Sequence, residues 1–144
     1  MQVHQILRSK PKATIITVQP GSSVADAARL LAERRIGALV VSSDGKTPLG
    51  ILSERDIVRD LGRRGVICMS EKVEGLMTRN LISCAPSDSA DSVLEKMTAG
   101  RFRHMPVMDG DEMVGIISIG DVVAARISEL AMEKDALAGM IMGN

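Results

Sequence analysis

The sequence predicts an α+β fold, a two-layer α/β arrangement in which two β-α-β-β-α units pack with pseudo-twofold symmetry. Three observations carry this. First, the chain repeats itself: Ile15-Ile16, Pro20, Ser22-Ser23, Val40-Val41, Asp44-Gly45 and Gly50 to Asp56 recur as Leu81-Ile82, Pro86, Asp88-Ser89, Pro106-Val107, Asp109-Gly110 and Gly115 to Asp121. The interval from Pro20 to Pro86 exceeds that from Asp56 to Asp121 by a single position, which is lost in the turn between Val107 and Gly115. A fixed period of this size decides architecture before any local reading. Second, within each unit short apolar runs flank a stretch of helical spacing. Third, 144 residues make one ordinary domain, whereas one unit alone has a marginal core, so the two copies share theirs.

Each unit opens on an apolar, β-favouring run, Thr14 to Val18 or Leu81 to Cys84, closed by a proline that cannot donate to a central ladder. A first strand is expected in both. Ser23 and Ser89 then stand where an N-cap belongs, with Asp26 and Asp91 in the first turn. Val24, Ala27, Ala28 and Leu31, and in the second copy Ala90, Val93, Leu94 and Met97, form the buried stripe of an amphipathic helix. Gly37 to Val41 and Met105 to Met108 are too short for helices and lead into Asp-Gly, a two-residue hairpin signal, before Leu49 to Leu52 or Met113 to Ile117. Two antiparallel strands are expected after each helix. The second of these runs into Ser53 to Asp56 or Ser118 to Asp121, which open a further helix through Ile57, Val58 and Leu61 or through Val122, Val123 and Ile127.

The organisation is a first repeat over 1–66, a second over 67–127 and a helical extension over 128–144. A polar connector, Arg63 to Gly75, leads into Val73-Glu74-Gly75-Leu76-Met77, which echoes Val3 to Leu7. Val73 lies further from Val3 than Pro86 does from Pro20, so the first repeat carries an insertion around Ser9 to Ala13, a loop that brings Lys10 and Lys12 toward the first strand or leaves them solvated. The last helix is expected from Asp121 to Leu137, with Ile127, Leu130, Ala131, Leu137, Ala138 and Ile141 on one side. Such a stripe fits a second subunit, or else the chain's own body.

Composition narrows the function. Eighteen basic residues balance 18 acidic ones, which leaves no basic field for DNA or RNA. Phe102 is the only aromatic residue, so a stacking platform for single strands is missing. No run approaches the roughly 18 apolar residues of a membrane helix, and Met1 to Lys12 lacks a secretory segment, so no membrane partner and a cytoplasmic location are expected. Cys68 and Cys84 stand alone and are expected as reduced thiols rather than metal ligands. Met97, Met105 and Met113 fall at apolar positions and are expected as core filler.

Ser53-x-x-Asp56 and Ser118-x-x-Asp121 are the sharpest signal, because each ends a strand and opens a helix at the same place in its repeat. The helix start offers unpaired N–H groups and partial positive charge to a phosphate, with the serine hydroxyl as an added donor. The aspartate offers two acceptor oxygens to paired ribose hydroxyls. The same spacing is also a capping arrangement, worth about 1 kcal/mol with nothing bound. Arg55, with Arg101, Arg103 and His104, adds local positive charge suited to an anion. No phosphate-binding glycine loop, nucleophile elbow or metalloprotease motif occurs, and an enzyme is not expected.

These residues bring a family into view. Val-x-x-Leu-Met-Thr at Val73 to Thr78 and Gly-h-h-Ser-x-x-Asp (h, apolar) at Gly50 to Asp56 and at Gly115 to Asp121, at repeat spacing, resemble a tandem pair of cystathionine-β-synthase (CBS) domains, a Bateman module, over roughly Val3 to Ile127. The resemblance implies two clefts between packed sheets that take adenosine-containing ligands, namely AMP, ADP, ATP, NAD(H) or S-adenosylmethionine. It implies that Asp56 and Asp121 hold ribose and that Ser53, Ser118 and Arg55 meet phosphate. It implies further that Ile16, Gly37, Ala38 and Leu39 border one adenine, and Ile82, Arg103, His104, Met105 and Pro106 the other. Both motifs are intact; Gly120 in place of Arg55 is the main asymmetry. Proteins of this kind usually form homodimers that sense energy or redox state and act on a regulated partner. The alternative is an assembly domain whose clefts stay empty.

Overall fold

The computed structural model describes residues 1–10 and 15–141. Thr14, Ala13 and Lys12 of the sequence reading therefore lie outside the described residues. Helix α1 (Val3–Ser9) precedes a first unit made of β1 (Thr17–Val18), α2 (Val24–Arg34), β2 (Ala38–Val41), β3 (Gly50–Ser53) and α3 (Glu54–Arg64). Two short 3-10 stretches, Gly65–Ser70 and Val73–Gly75, lead to α4 (Ala90–Gly100), β4 (His104–Asp109), β5 (Glu112–Ser118) and α5 (Ile119–Ile141).

The expected helices form where their caps stand. Ser23 Oγ accepts the Asp26 amide at 3.1 Å, Ser89 Oγ accepts the Ser92 amide at 3.1 Å, and each helix ends one residue before an arginine in the left-handed region. Val24, Ala27 and Leu31 of α2, and Ala90, Val93 and Met97 of α4, are buried as their spacing requires.

The strands differ between the copies. In the first, β1 pairs parallel to β2, and β2 antiparallel to β3 with Val40 opposite Ile51. In the second, β4 pairs with β5, but Leu81 to Cys84 is not a strand: only Cys84 bridges to Val107. The reason is one missing donor. Val40 N–H bonds the Ile16 carbonyl at 3.1 Å and Ser42 N–H bonds that of Val18 at 2.9 Å. Their counterparts in the second repeat are Pro106 and Met108; Met108 N–H still bonds Cys84 at 2.8 Å, while Pro106 has no N–H for Ile82.

The hairpin turns differ as well. Asp109 pairs with Glu112, so Gly110-Asp111 is the two-residue loop and Gly110 supplies its positive φ of 62°. In the first repeat β2 and β3 are joined by a longer loop over 42–49. There Asp44 Oδ1 accepts the amides of Lys46 and Thr47, both at 2.8 Å, which holds its carboxyl down at about 2, and the Ser42 hydroxyl donates to the Thr47 carbonyl.

Three apolar clusters build the core. One packs α2, β2 and β3 with Val73 and Met77 from the connector; another packs α4, β4 and β5 with Val3 and Ile6 of α1. Each repeat thus borrows the segment that precedes the other. The third cluster, Ala38, Val40, Ile51 and Met113 with Ile15, Leu81, Met108 and Ile116 against them, lies between the two sheets and is the shared core. Met97, Met105 and Met113 are all buried filler. No helix of the described residues is long and apolar enough to cross a membrane.

Candidate functional site

Two cavities open beside the seam between the sheets, each containing one Ser-x-x-Asp turn. The first, of about 330 Å³, is lined by Ser53, Arg55 and Asp56 from the first repeat and by Ile82, Arg103 and His104 from the second. The other, of about 610 Å³, reverses the contribution: Ser118 and Asp121 come from the second repeat, Ile16, Gly37 and Ala38 from the first. Both volumes lie in the range of small-molecule sites. The structure thus sorts the sequence-derived residues into two composite sets, each with its carboxylate from one copy and its apolar border from the other.

Three sequence-derived residues fall outside these linings. Leu39, Met105 and Pro106 line neither cavity. They are buried, at 1% exposure for Leu39 and 0% for Met105. Strand alternation turns Leu39 and Met105 away from the cavities, whereas Pro106, on the His104 side of β4, is buried opposite Ile116 of β5.

At each turn the aspartate performs the cap as well. Asp56 Oδ2 accepts from Ser53 N–H at 2.9 Å and from its hydroxyl at 3.0 Å, while Ser53 Oγ accepts from Asp56 N–H at 3.2 Å. Asp121 repeats the pattern, with Oδ2 accepting from Ser118 N–H at 2.9 Å and Asp121 N–H donating to Ser118 Oγ at 3.1 Å. The capping and ligand readings are therefore compatible: Oδ2 holds the turn, and among the described residues Oδ1 accepts no hydrogen bond. Arg59 approaches Asp56 Oδ1 at 3.8 Å.

Lys10 distinguishes the second cavity. Its ammonium lies 2.9 Å from Asp121 Oδ2 and donates to the Ile116 carbonyl at 3.1 Å. Burial opposes ionisation of Asp121, but the Ser118 amide and Lys10 outweigh it and hold the carboxyl below its ordinary range. In the sequence Lys10 is one lysine of a loop that the second repeat lacks, and nothing in its local pattern marks it for the cavity. Arg101, one of the arginines grouped with His104 in the sequence, borders the first cavity; Arg59, Thr78, Arg34 and Arg35 also border the cavities, and spacing alone does not mark them as site residues.

His104 belongs to both linings. A side chain at Gly37 would meet its ring, because a Cβ there would lie 3.3 Å from both Cε1 and Nε2. Burial lowers the imidazole pKa, against the pull of Asp121 and Glu54, and Lys10 and Arg103 lower it further. A third space of about 340 Å³ between the two cavities is bordered by Arg55, Arg103 and His104 together with Glu54, Ser118 and Gly120.

Known proteins share this fold. The family model described as "CBS domain" matches residues 3–63 and again 73–128. The mitochondrial CBS domain-containing protein CBSX3 of Arabidopsis thaliana is 32% identical over 98% of this chain and 72% of its own length. CBSCBSPB2 of the same plant is 32% identical, but this chain spans only 23% of it. Among solved structures, the CBS-domain containing protein ATU1752 from Agrobacterium tumefaciens superposes with a TM-score of 0.83 at 40% identity, over 88% of this chain and 99% of that one. The CBS domain pair of MJ0100, solved with 5′-methylthioadenosine and S-adenosyl-L-methionine, gives 0.77 at 28% identity over 90% and 98%.

Proposed function

Because this chain belongs to the CBS-domain family, we propose that it is a regulatory module that binds adenine nucleotides, AMP, ADP, ATP or NAD(H), and acts on a partner protein according to its occupancy. The supporting observation is the composite cavity: a Ser-x-x-Asp turn, arginines and an apolar border brought together from two repeats, twice. A solved relative that holds adenosine compounds supports the ligand class. In this reading the ribose hydroxyls donate to Oδ1 of Asp56 or Asp121, and the phosphates lie against Arg55 in the first cavity and the start of α5 in the second. Ile82, whose carbonyl has no ladder donor opposite Pro106, accepts from the amino group of the base. The chain binds and does not turn its ligand over.

Calorimetry tests the reading. Asp56→Ala combined with Asp121→Ala is expected to abolish nucleotide binding, while loss of the aspartate half of each capping box, with Ser53 and Ser118 still in place as caps, costs no more than about 1 kcal/mol each and leaves a folded chain by circular dichroism. Undiminished affinity in that double variant would sink the assignment.

A second reading rests on the complete capping geometry at both turns: the serines and aspartates only hold helices, and the module serves assembly. A thermal-shift panel of AMP, ADP, ATP, NAD, NADH and S-adenosylmethionine separates the two. A ligand at a hundred times its Kd stabilises by about 2.7 kcal/mol, and silence of all six favours assembly.

A further inference from the structure

The two cavities carry different charge at corresponding places. Arg55, Arg59 and Arg103 border the first. Their counterparts by the repeat offset are Gly120, Ala124 and Gly37, none of which bears charge. Arg101 corresponds to Arg35, so one arginine is common to both linings. The second cavity adds Arg34 and Lys10, but Lys10 is engaged by Asp121 at 2.9 Å. At the Ser-x-x-Asp end, therefore, the first cavity presents Arg55 and Arg59 of α3, the latter 3.8 Å from Asp56 Oδ1, whereas the corresponding Gly120 and Ala124 bring no charge to the second, whose lysine is paired with Asp121.

We infer that the cavities divide their ligands by phosphate number: the Asp56 cavity takes an adenosine di- or triphosphate, and the Asp121 cavity takes an adenosine compound with at most one phosphate. This rests on the nucleotide reading above and deepens it. The central space explains where the additional phosphates go. Arg55 and Arg103 border both it and the first cavity, against the single carboxylate of Glu54, and on the opposite wall Gly120 adds no side chain between Ile119 and the second cavity's Asp121. An anionic tail extending from the first cavity meets guanidinium groups there, which bind phosphate oxygens in forked pairs. A tail extending from the second starts beside Gly120.

Single-cavity proteins test this. Asp121→Asn leaves the first cavity as the binding site and Asp56→Asn the second; asparagine keeps a side-chain oxygen for the cap. With AMP, ADP and ATP as calorimetric titrants, the Asp121→Asn protein is expected to bind ATP at least about tenfold more tightly than AMP, the scale of one added charged hydrogen bond, with a steep salt dependence. The Asp56→Asn protein is expected to bind ATP no more than about twofold more tightly than AMP on the same scale. Exchanging the distinguishing residue then moves the preference. Arg55→Gly lowers the ATP-to-AMP ratio in the first protein. Gly120→Arg raises it in the second, and a Cβ there meets only Ser118 Oγ, at 3.6 Å, an ordinary contact. Equal ratios in the two single-cavity proteins, or a larger one in the Asp56→Asn protein, overturn the division while leaving nucleotide binding intact. Wild-type chain that binds none of the three overturns both.

Discussion

Arg35 and Arg101 hold φ of 53° and 58° as C-caps of α2 and α4, a place where helices favour glycine. The left-handed conformation costs a side-chain-bearing residue about 1 kcal/mol. Both residues border a cavity, so the strain recurs where an anion would be held. Arg35→Gly or Arg101→Gly is therefore expected to raise the melting temperature by about 2–4 °C, while weakening nucleotide affinity in the cavity it borders. Thermal scans with and without ligand read both effects; a lower melting temperature without ligand would mean the guanidinium contributes more than the backbone loses. At this scale the sequence was most legible where it repeated. Ser53, Asp56, Ser118 and Asp121 announced themselves by recurrence, whereas the left-handed arginines carry no signal, because glycine alone advertises positive φ.

At the scale of elements, the second half of α5 carries an apolar stripe that nothing among the described residues covers. Beyond Ala125 its stripe of Ile127, Leu130, Leu137 and Ile141 is 53–84% exposed, so it does not fold back on its own body. Val58 and Leu61 of α3 and Val123 of α5 are exposed as well. A second copy of the chain is the occupant we propose, since a twofold contact lets one stripe cover its equal. Leu130→Glu with Leu137→Glu is expected to turn a dimer into a monomer in sedimentation velocity without unfolding the body; a dimer that survives both charges refutes this. The stripe itself was readable from spacing, as were the caps that begin α2 and α4. The absent strand at Leu81 to Cys84 was not, because its own pattern is sound and the defect sits at Pro106, beyond the intervening helix. Parallel pairing depends on a partner that local pattern does not name.

Across the whole molecule, protonation should reveal how tightly the two repeats close on His104. Burial lowers its pKa, so the folded chain binds fewer protons than the unfolded one as pH falls below the ordinary histidine value of 6.5. Stability is thus complete above that value and declines on acidification until the lowered folded value is passed. Asp121 acts in the same direction further down, where stability present above 3.8 is lost as pH falls through its depressed value. Melting temperatures measured from pH 8 to 5 are expected to fall for the wild type and to flatten for His104→Asn; parallel slopes would show that the ring is not held by the surrounding fold.

The sequence alone determined the duplication, the helix starts, the apolar positions and the turns that carry Ser53, Asp56, Ser118 and Asp121, because each depends on residues within one or two turns of chain. Only the tertiary structure decided that α1 packs with the second repeat and the connector with the first, that Lys10 meets Asp121, and that each cavity joins the carboxylate of one copy to the border of the other. Those pairings join segments that lie far apart in the chain. Local spacing has no bearing on them, since burial is won by whichever apolar surfaces meet once both units are folded.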